Sequence, residues 1–152
     1  MGDTLEQAFG EVYLKFKLQF YKKIFSRFEE REASLTAVET FCAEAINALR
    51  NPTIKQFAEF VNISQENAAY KVQSLIKKGY VTKVRSTTDR REYHLRMSDR
   101  FYDYLRVNTD YIGTVVARVK ERFSASEIET FERVIRVMSA ELMPETEDIT
   151  RV

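Results

Sequence analysis

Positively charged side chains are concentrated in one short part of the sequence. Between residues 71 and 96 there are eight basic residues and only two acidic ones, Asp89 and Glu92, so this segment has a net charge of +6. Because the whole chain carries +1, the remaining residues sum to −5. Such polarisation favours binding to a polyanion, with a merely solvated charged face as the alternative. The basic residues are Lys71, Lys77, Lys78, Lys83, Arg85, Arg90, Arg91 and Arg96.

Other chemistries lack the residues that they need. The sequence has no phosphate-binding loop, no glycine-rich dinucleotide turn and no nucleophile elbow, so we expect neither an enzyme nor a cofactor. Cys42 and His94 are the single cysteine and the single histidine, too few for a metal site, and nothing would supply an oxyanion site to a nucleophile pair. One cysteine, no long apolar run and no secretory signal pattern together predict a cytoplasmic protein without a disulfide.

The elements that must position the basic residues begin with two short helices. The first is predicted from Thr53 or Ile54 to about Val61, and Asn62 suits the left-handed turn after it. Ser64 is placed to cap a second helix that continues to Lys78, where Gly79 supplies the stop. The small core between the two helices is expected to contain Ala58, Ile63, Ala68, Val72 and Leu75.

A hairpin is predicted next. Strands are expected over residues 80–85 and 92–97, and the loop between them contains no apolar residue, so it should project into solvent. Helix, turn, helix and basic hairpin form a shape suited to gripping duplex DNA. Candidate base-contacting residues on the second helix are Gln65, Asn67, Tyr70 and Ser74, next to the cap Ser64. Candidate phosphate-contacting residues are Lys71, Lys77, Lys83, Arg85 and Arg90.

Long helices flank this lobe. Apolar residues at helical spacing predict a helix from Leu5 to about Arg31, too long for a domain of this size to cover alone, so we interpret its apolar stripe mainly as a dimer surface. A helix capped by Ser34 or Thr36 should run to about Leu49. A fifth helix is predicted from the cap Ser98 to Phe123. A sixth helix, capped by Ser124 or Ser126, should end before Pro144. Residues 144–152 are expected to form an acidic, frayed tail.

The segment VTKVRSTTDRREYHLRMSD, together with the order of elements, resembles the winged helix-turn-helix of MarR-type bacterial transcription regulators. Asp89 and Arg91 match the Asp-x-Arg tip of that family's wing, and Ser98 matches the helix cap that follows it. The resemblance covers essentially Leu35 to Phe101. The sequence departs from many members at the start of the second helix, where Gln65-Glu66-Asn67 replaces a basic residue.

The resemblance implies a mainly α fold with a small β-hairpin wing. It assigns residues 1–34 and 99–143 to dimerisation helices and residues 35–98 to the DNA-binding lobe. Recognition helix 64–78 would enter the major groove of duplex DNA, and wing 85–92 would place Arg91 in the minor groove, where negative potential is focused. Asp89 would orient the Arg91 guanidinium or brace the loop, with a pair that only shapes the turn as the alternative.

MarR-type proteins often bind a small-molecule effector between the dimerisation helices and the lobe. The resemblance therefore implies an effector as a further partner and a pocket lined by Tyr13, Phe16, Phe20, Phe41 and Cys42. For Cys42 we prefer a buried structural role to a redox switch, because no basic residue is near it in sequence.

The sequence therefore predicts a homodimeric, sequence-specific transcription regulator, most simply a repressor. Two rivals remain: a winged-helix module that binds proteins rather than DNA, and a small-molecule carrier with a vestigial helix-turn-helix.

Overall fold

The computed structural model describes residues 3–28 and 35–146. It is mainly helical with one two-stranded antiparallel hairpin, which confirms the predicted fold class. In chain order the elements are α1 (Thr4–Phe28), α2 (Ala37–Ala48), α3 (Ile54–Val61), α4 (Gln65–Lys77), β1 (Val81–Arg85), β2 (Tyr93–Met97), α5 (Asp99–Arg122) and α6 (Ala125–Glu141), followed by a 3-10 turn at Pro144–Thr146.

Short polar residues set the limits of the helices in the lobe. Thr36 caps α2 in a capping box with Glu39, while the alternative cap Ser34 lies outside the described residues. The Ser64 hydroxyl accepts a hydrogen bond from the Asn67 backbone N–H and so caps α4, as predicted. Asn62 adopts the expected left-handed conformation, with φ of 58°.

Gly79 lies just after α4, and its φ of +83° is the reason that glycine is needed there. The Tyr80 N–H then bonds back to the Leu75 carbonyl, which satisfies an acceptor that the helix end would leave without a partner. The chain therefore passes directly from α4 into the hairpin.

The hairpin pairs Val81 with Met97 at its base and Arg85 with Tyr93 near its tip. It is anchored to the turn between α2 and α3 by two bonds. The Leu95 N–H donates to the Pro52 carbonyl at 2.7 Å, and His94 Nδ1 donates to the Asn51 carbonyl at 2.7 Å. The single histidine is thus a structural tether of the second strand.

The core lies almost entirely within the lobe. Ala58, Ala68, Val72 and Leu75 are buried as predicted, and Ile63 packs at the edge of the same cluster. Sequence reasoning did not single out several of the large buried side chains, which come from other parts of the lobe. They are Leu35, Ile46, Phe57, Tyr80 and Leu95.

The flanking helices are covered much less than the lobe. α6 has no buried residue at all, and most of the α1 side chains that the structure describes are exposed, with Phe20 the buried exception. Phe16 of α1 meets Tyr111 of α5 edge to face, at 5.6 Å between ring centroids. Among the described residues, no helix has the length and apolarity that crossing a membrane requires.

Some boundary expectations need correction. Ser98 occupies the position before α5, but its side chain makes no cap; the hydroxyl donates instead to the Gly79 carbonyl at 2.6 Å. Of the two serines proposed before α6, Ser124 is the cap. The predicted continuation of α1 past residue 28 and the tail after Thr146 lie outside the described residues.

Burial of the Glu44 carboxyl on α2 should make the stability of the protein depend on pH. Burial raises the pKa of its carboxyl above the ordinary value. Because the pKa is higher in the folded state than in the unfolded state, stability falls as pH rises from the unfolded-state pKa through the folded-state pKa. We therefore expect Glu44→Gln to raise the urea midpoint of unfolding at pH 7, with the gain disappearing below about pH 4, where both states hold the proton. Glu129→Gln, on the exposed surface of α6, is the control; an equal gain there would contradict the burial argument.

Candidate nucleic-acid interface

The start of α4 presents polar side chains to solvent. Gln65 and Asn67 are exposed, and Tyr70 is 78% exposed, an unusual degree for a tyrosine ring. The opposite side of the helix is fixed by the buried Ala68 and Val72. The helix therefore offers amide and phenol groups outwards, as the sequence predicted.

The exposed stripe of α4 also includes a residue that sequence reasoning missed. Tyr70, Gln73 and Lys77 are all exposed and follow one another at spacings of three and four, which places them on one side of the helix. Helical spacing from Tyr70 was the signal that could have identified Gln73. Its amide can donate to and accept from a base edge.

Two predicted residues of α4 lie away from this exposed stripe. Ser74 is half-buried and donates its hydroxyl to Glu39 of α2 at 2.9 Å. Lys71 is also half-buried, and its charge acts on Cys42. Burial raises the pKa of the Cys42 thiol, the Lys71 ammonium lowers it, and Glu39 adds to the rise. The net shift is upward, so the buried cysteine is held as a thiol, which fits the structural role rather than a redox switch.

The strands of the wing carry a small cationic cluster around one aromatic ring. Lys83 Nζ lies 6.0 Å from the centroid of the Tyr93 ring, and the guanidinium carbon of Arg85 lies 5.9 Å from it. Cation–π attraction holds both positive groups against β2. Arg85 also donates from Nε to the Arg90 carbonyl at 3.0 Å, so it braces the loop as well as adding charge.

The wing loop is held by its own short side chains. The Asp89 carboxylate accepts from the Arg91 backbone N–H at 2.9 Å, and the Ser86 hydroxyl accepts from the Thr88 and Asp89 N–H groups. Asp89 therefore braces the loop through the main chain, as an Asx turn does. Within the described chain neither Arg90 nor Arg91 forms a salt bridge, and both side chains are exposed.

The far end of α4 is held from α5. The Arg100 guanidinium donates to the Lys78 carbonyl at 3.2 Å and lies 4.9 Å from the centroid of the Tyr80 ring. A positive group at a helix C-terminus is favourable because carbonyl dipoles converge there. This contact was not evident from the sequence, since residues 78 and 100 belong to different elements.

The residues expected to line an effector pocket differ in their exposure to solvent. Phe20 and Cys42 are buried in the core, whereas Tyr13 and Phe41 are exposed. The Tyr21 ring lies near two of them, with its centroid 6.1 Å from that of Phe20 and 6.5 Å from that of Phe41. An open cavity of about 500 Å³ lies elsewhere, at the end of α5, lined by Val115, Arg118, Val119, Glu121, Arg122 and Phe123. The effector site stays a prediction.

Comparison with known proteins adds to this geometry. Residues 35–93 match the model of the MarR family. No curated protein matches the sequence.

Three solved structures are similar along nearly the whole chain. A mutant of MepR from a multidrug resistant clinical isolate of S. aureus has a TM-score of 0.67 and 12% identity, covering 93% of this chain and 99% of its own. The transcriptional regulator Tm0710 from Thermotoga maritima has a TM-score of 0.63 and 13% identity, with 93% and 95% covered. FabT from Streptococcus pneumoniae, solved in complex with DNA, has a TM-score of 0.61 and 18% identity, with 93% and 99% covered.

At identities this low the structural similarity establishes the fold, and the family model supplies the sequence pattern within it. Residues 35–93 are therefore similar to the MarR family, and the solved structures show that the chain has the same winged helix-turn-helix fold as these regulators.

Proposed function

We propose that the protein is a dimeric, sequence-specific DNA-binding transcription regulator of the cytoplasm. The observation that carries the proposal is the wing: a loop braced by its own hydrogen bonds that presents Arg90 and Arg91 to solvent. The hairpin comes directly after α4, from which only the turn at Gly79 separates it. That helix exposes Gln65, Asn67, Tyr70 and Gln73. Exposed amides on a helix and free guanidinium groups on a hairpin suit a major groove and the adjacent minor groove.

The residues divide into roles under this proposal. Gln65, Asn67, Tyr70 and Gln73 read base edges, while Lys77, Lys83 and Arg90 contact phosphates. Arg91 enters the minor groove, where a narrow groove concentrates negative potential. Ser64, Lys71, Ser74, Arg85 and Asp89 act within the protein, since each is half-buried or already bonded to a protein group.

A homodimer is part of the proposal because of the uncovered apolar surface of the flanking helices. Four apolar residues of α1 are more than half exposed: Leu5, Phe9, Val12 and Leu18. Phe131 of α6 and Leu142, just after α6, are exposed to the same degree. Apolar surface on this scale indicates an association site rather than a solvent face. A two-fold dimer places its two recognition helices about one helical turn of DNA apart, so we expect a pseudo-palindromic operator.

Selection of bound sequences from random duplex DNA is the direct test. We expect enrichment of one pseudo-palindromic sequence with half-sites about one turn apart, and retention on heparin that falls steeply with salt. Recovery of no sequence, together with retention that salt does not change, would favour a module that binds proteins.

We also propose that the regulator acts as a repressor. A dimer bound across a promoter excludes polymerase by occupying the same DNA. A reporter gene with the selected operator placed across its promoter should fall in expression when the protein is present. An increase in expression with that arrangement would contradict this assignment.

Removing the wing arginine tests the minor-groove contact. Arg91→Ala should weaken binding to the operator by about 1–3 kcal/mol, since a specific groove contact is lost while the fold is unaffected. The measurement is a gel shift at fixed salt. Arg106→Ala, which removes the same charge from an exposed site on α5, is the matched control. Equal affinities for wild type and Arg91→Ala would show that the wing tip does not touch DNA.

A further inference from the structure

One carboxylate joins α2 to the recognition helix. Glu39 is only 8% exposed, and both of its oxygens accept hydrogen bonds from α4 and the residue that follows it. Oε2 accepts from the Ser74 hydroxyl at 2.9 Å, and Oε1 is 2.7 Å from the Lys78 ammonium. Oε1 also accepts from the Thr36 N–H at 3.2 Å, which closes the capping box of α2. The carboxylate is therefore fully engaged.

The charge state of this group is secure at neutral pH. Burial raises the pKa of the Glu39 carboxyl, but the hydrogen bonds from Lys78, Ser74 and Thr36 together lower it further than burial raises it. The net effect is a pKa below the ordinary value. Glu39 and Lys78 thus form a partly buried ion pair, for which geometry matters more than it does on a surface.

The position of the two contacts on α4 gives them a directional effect. Ser74 and Lys78 are four residues apart, so they lie one above the other on the same side of the helix. Two bonds along one side fix both the rotation of the helix about its axis and its position along that axis. Tyr70 lies one turn before Ser74, so the direction in which its exposed ring faces depends on the rotation of the helix.

Two other helices of the chain show that helix capping alone does not explain why a charged glutamate occupies position 39. Gln56 makes the same capping box with Thr53 on α3, where its uncharged Oε1 accepts from the Thr53 N–H at 2.9 Å. Glu127 makes the same box with Ser124 on α6. A charged carboxylate is therefore not needed for the cap. What distinguishes Glu39 is its bond to Ser74 and Lys78, across 35 and 39 residues of sequence.

We propose that Glu39 is a positioning residue that sets the rotation and register of the recognition helix, and hence which side chains of α4 meet the bases. The proposal rests on the DNA-binding function proposed above. Glu39 itself touches no DNA. It acts by holding Ser74 and Lys78 against α2, so the exposed stripe of Tyr70, Gln73 and Lys77 faces one fixed direction.

The test compares Glu39→Gln with Glu127→Gln. Each variant keeps a side chain that can close the capping box, as Gln56 does, and each loses one negative charge. Affinity is measured for the selected operator and for an unrelated duplex of equal length. We expect Glu39→Gln to reduce the ratio of the two affinities about ten-fold, the scale of one mismatched base pair, and Glu127→Gln to leave the ratio unchanged.

A merely structural role would give a different result. In that case the urea midpoint of Glu39→Gln would fall while its affinity ratio matched that of the wild type, and the proposal would be overturned. An increase in affinity for both duplexes, with a steeper dependence on salt, would also overturn it. That result would mean that Glu39 withholds Lys78 from phosphates.

Hydrogen exchange in the free protein separates failure of this inference from failure of the proposed function. Amides from Ser74 to Lys78, at the end of α4, should exchange faster in Glu39→Gln than in Glu127→Gln. Equal rates would show that Glu39 does not hold α4 in place, whatever the protein binds. If the wild type shows no sequence preference, the DNA-binding proposal fails, and the positioning role fails with it. Faster exchange in Glu39→Gln would then show that the contacts of Glu39 with Ser74 and Lys78 hold α4 in place but do not set which bases it contacts.

Discussion

Replacing Phe131 by aspartate should prevent the proposed dimer from forming and weaken binding to a palindromic operator by about 100-fold or more. Phe131 is 51% exposed in the single chain and lies on the same side of α6 as the exposed Val134 and Ile135. A carboxylate in the middle of an apolar contact would lose its hydration without a partner, which strongly opposes association. Because two linked half-sites bind far more tightly than one, loss of the dimer removes most of the affinity.

Sedimentation and gel shift on the same preparations measure the two effects. Ala140→Asp adds the same charge to the opposite side of α6, where we expect neither effect. Circular dichroism should show unchanged helix content in the control. A Phe131→Asp protein that sediments as a dimer would show that α6 lies outside the association surface.

Replacing Phe57 by alanine should destabilise the protein by about 3–5 kcal/mol. The Phe57 ring is fully buried on α3, within the cluster that also contains Leu75 of α4 and Leu95 of β2. Removing the ring takes away apolar contacts and leaves a cavity that the surrounding helices and strand can fill only in part. A loss of this size is a large part of the stability of a domain of this length.

Urea unfolding at one fixed protomer concentration is the appropriate measurement, because the proposed association of the folded state would also contribute to apparent stability. Phe57→Leu keeps most of the apolar volume and should lose much less. If the alanine variant unfolded within about 1 kcal/mol of wild type, roughly the effect of an average substitution, the ring would not be part of a packed core.

The helix-turn-helix could be predicted closely because its limits are set by local chemistry. Asn62 tolerates a left-handed backbone, Ser64 caps the next helix and Gly79 ends it, and each of these effects acts within a few residues. The strands could also be predicted, since a run of polar residues separates two segments that contain recurring apolar residues: Val81 and Val84 in the first, and Tyr93, Leu95 and Met97 in the second. Local signals of this kind do not depend on the rest of the fold.

Contacts between distant elements could not be predicted in the same way. Ser74 was expected to face outwards and Ser98 to cap α5, yet the first bonds to Glu39 and the second to the Gly79 carbonyl. Both residues are small hydroxyl donors whose partner is decided by the packing of α2, α4 and α5. Helical spacing alone places Ser74 at the boundary between the buried and exposed sides of α4. Whether its side chain faces the protein or the solvent is decided by the packing of α2 against it.

The self-bonded loop of the wing has a consequence for how quickly and how tightly DNA can be engaged. Ser86 and Asp89 hold the loop backbone with bonds of 2.9 to 3.3 Å before any ligand arrives. The hairpin is therefore preorganised, and the proposed entry of the Arg91 side chain into a groove would cost little main-chain conformational entropy. A flexible tip with the same arginines would have to be ordered in each encounter, and its complexes would dissociate sooner.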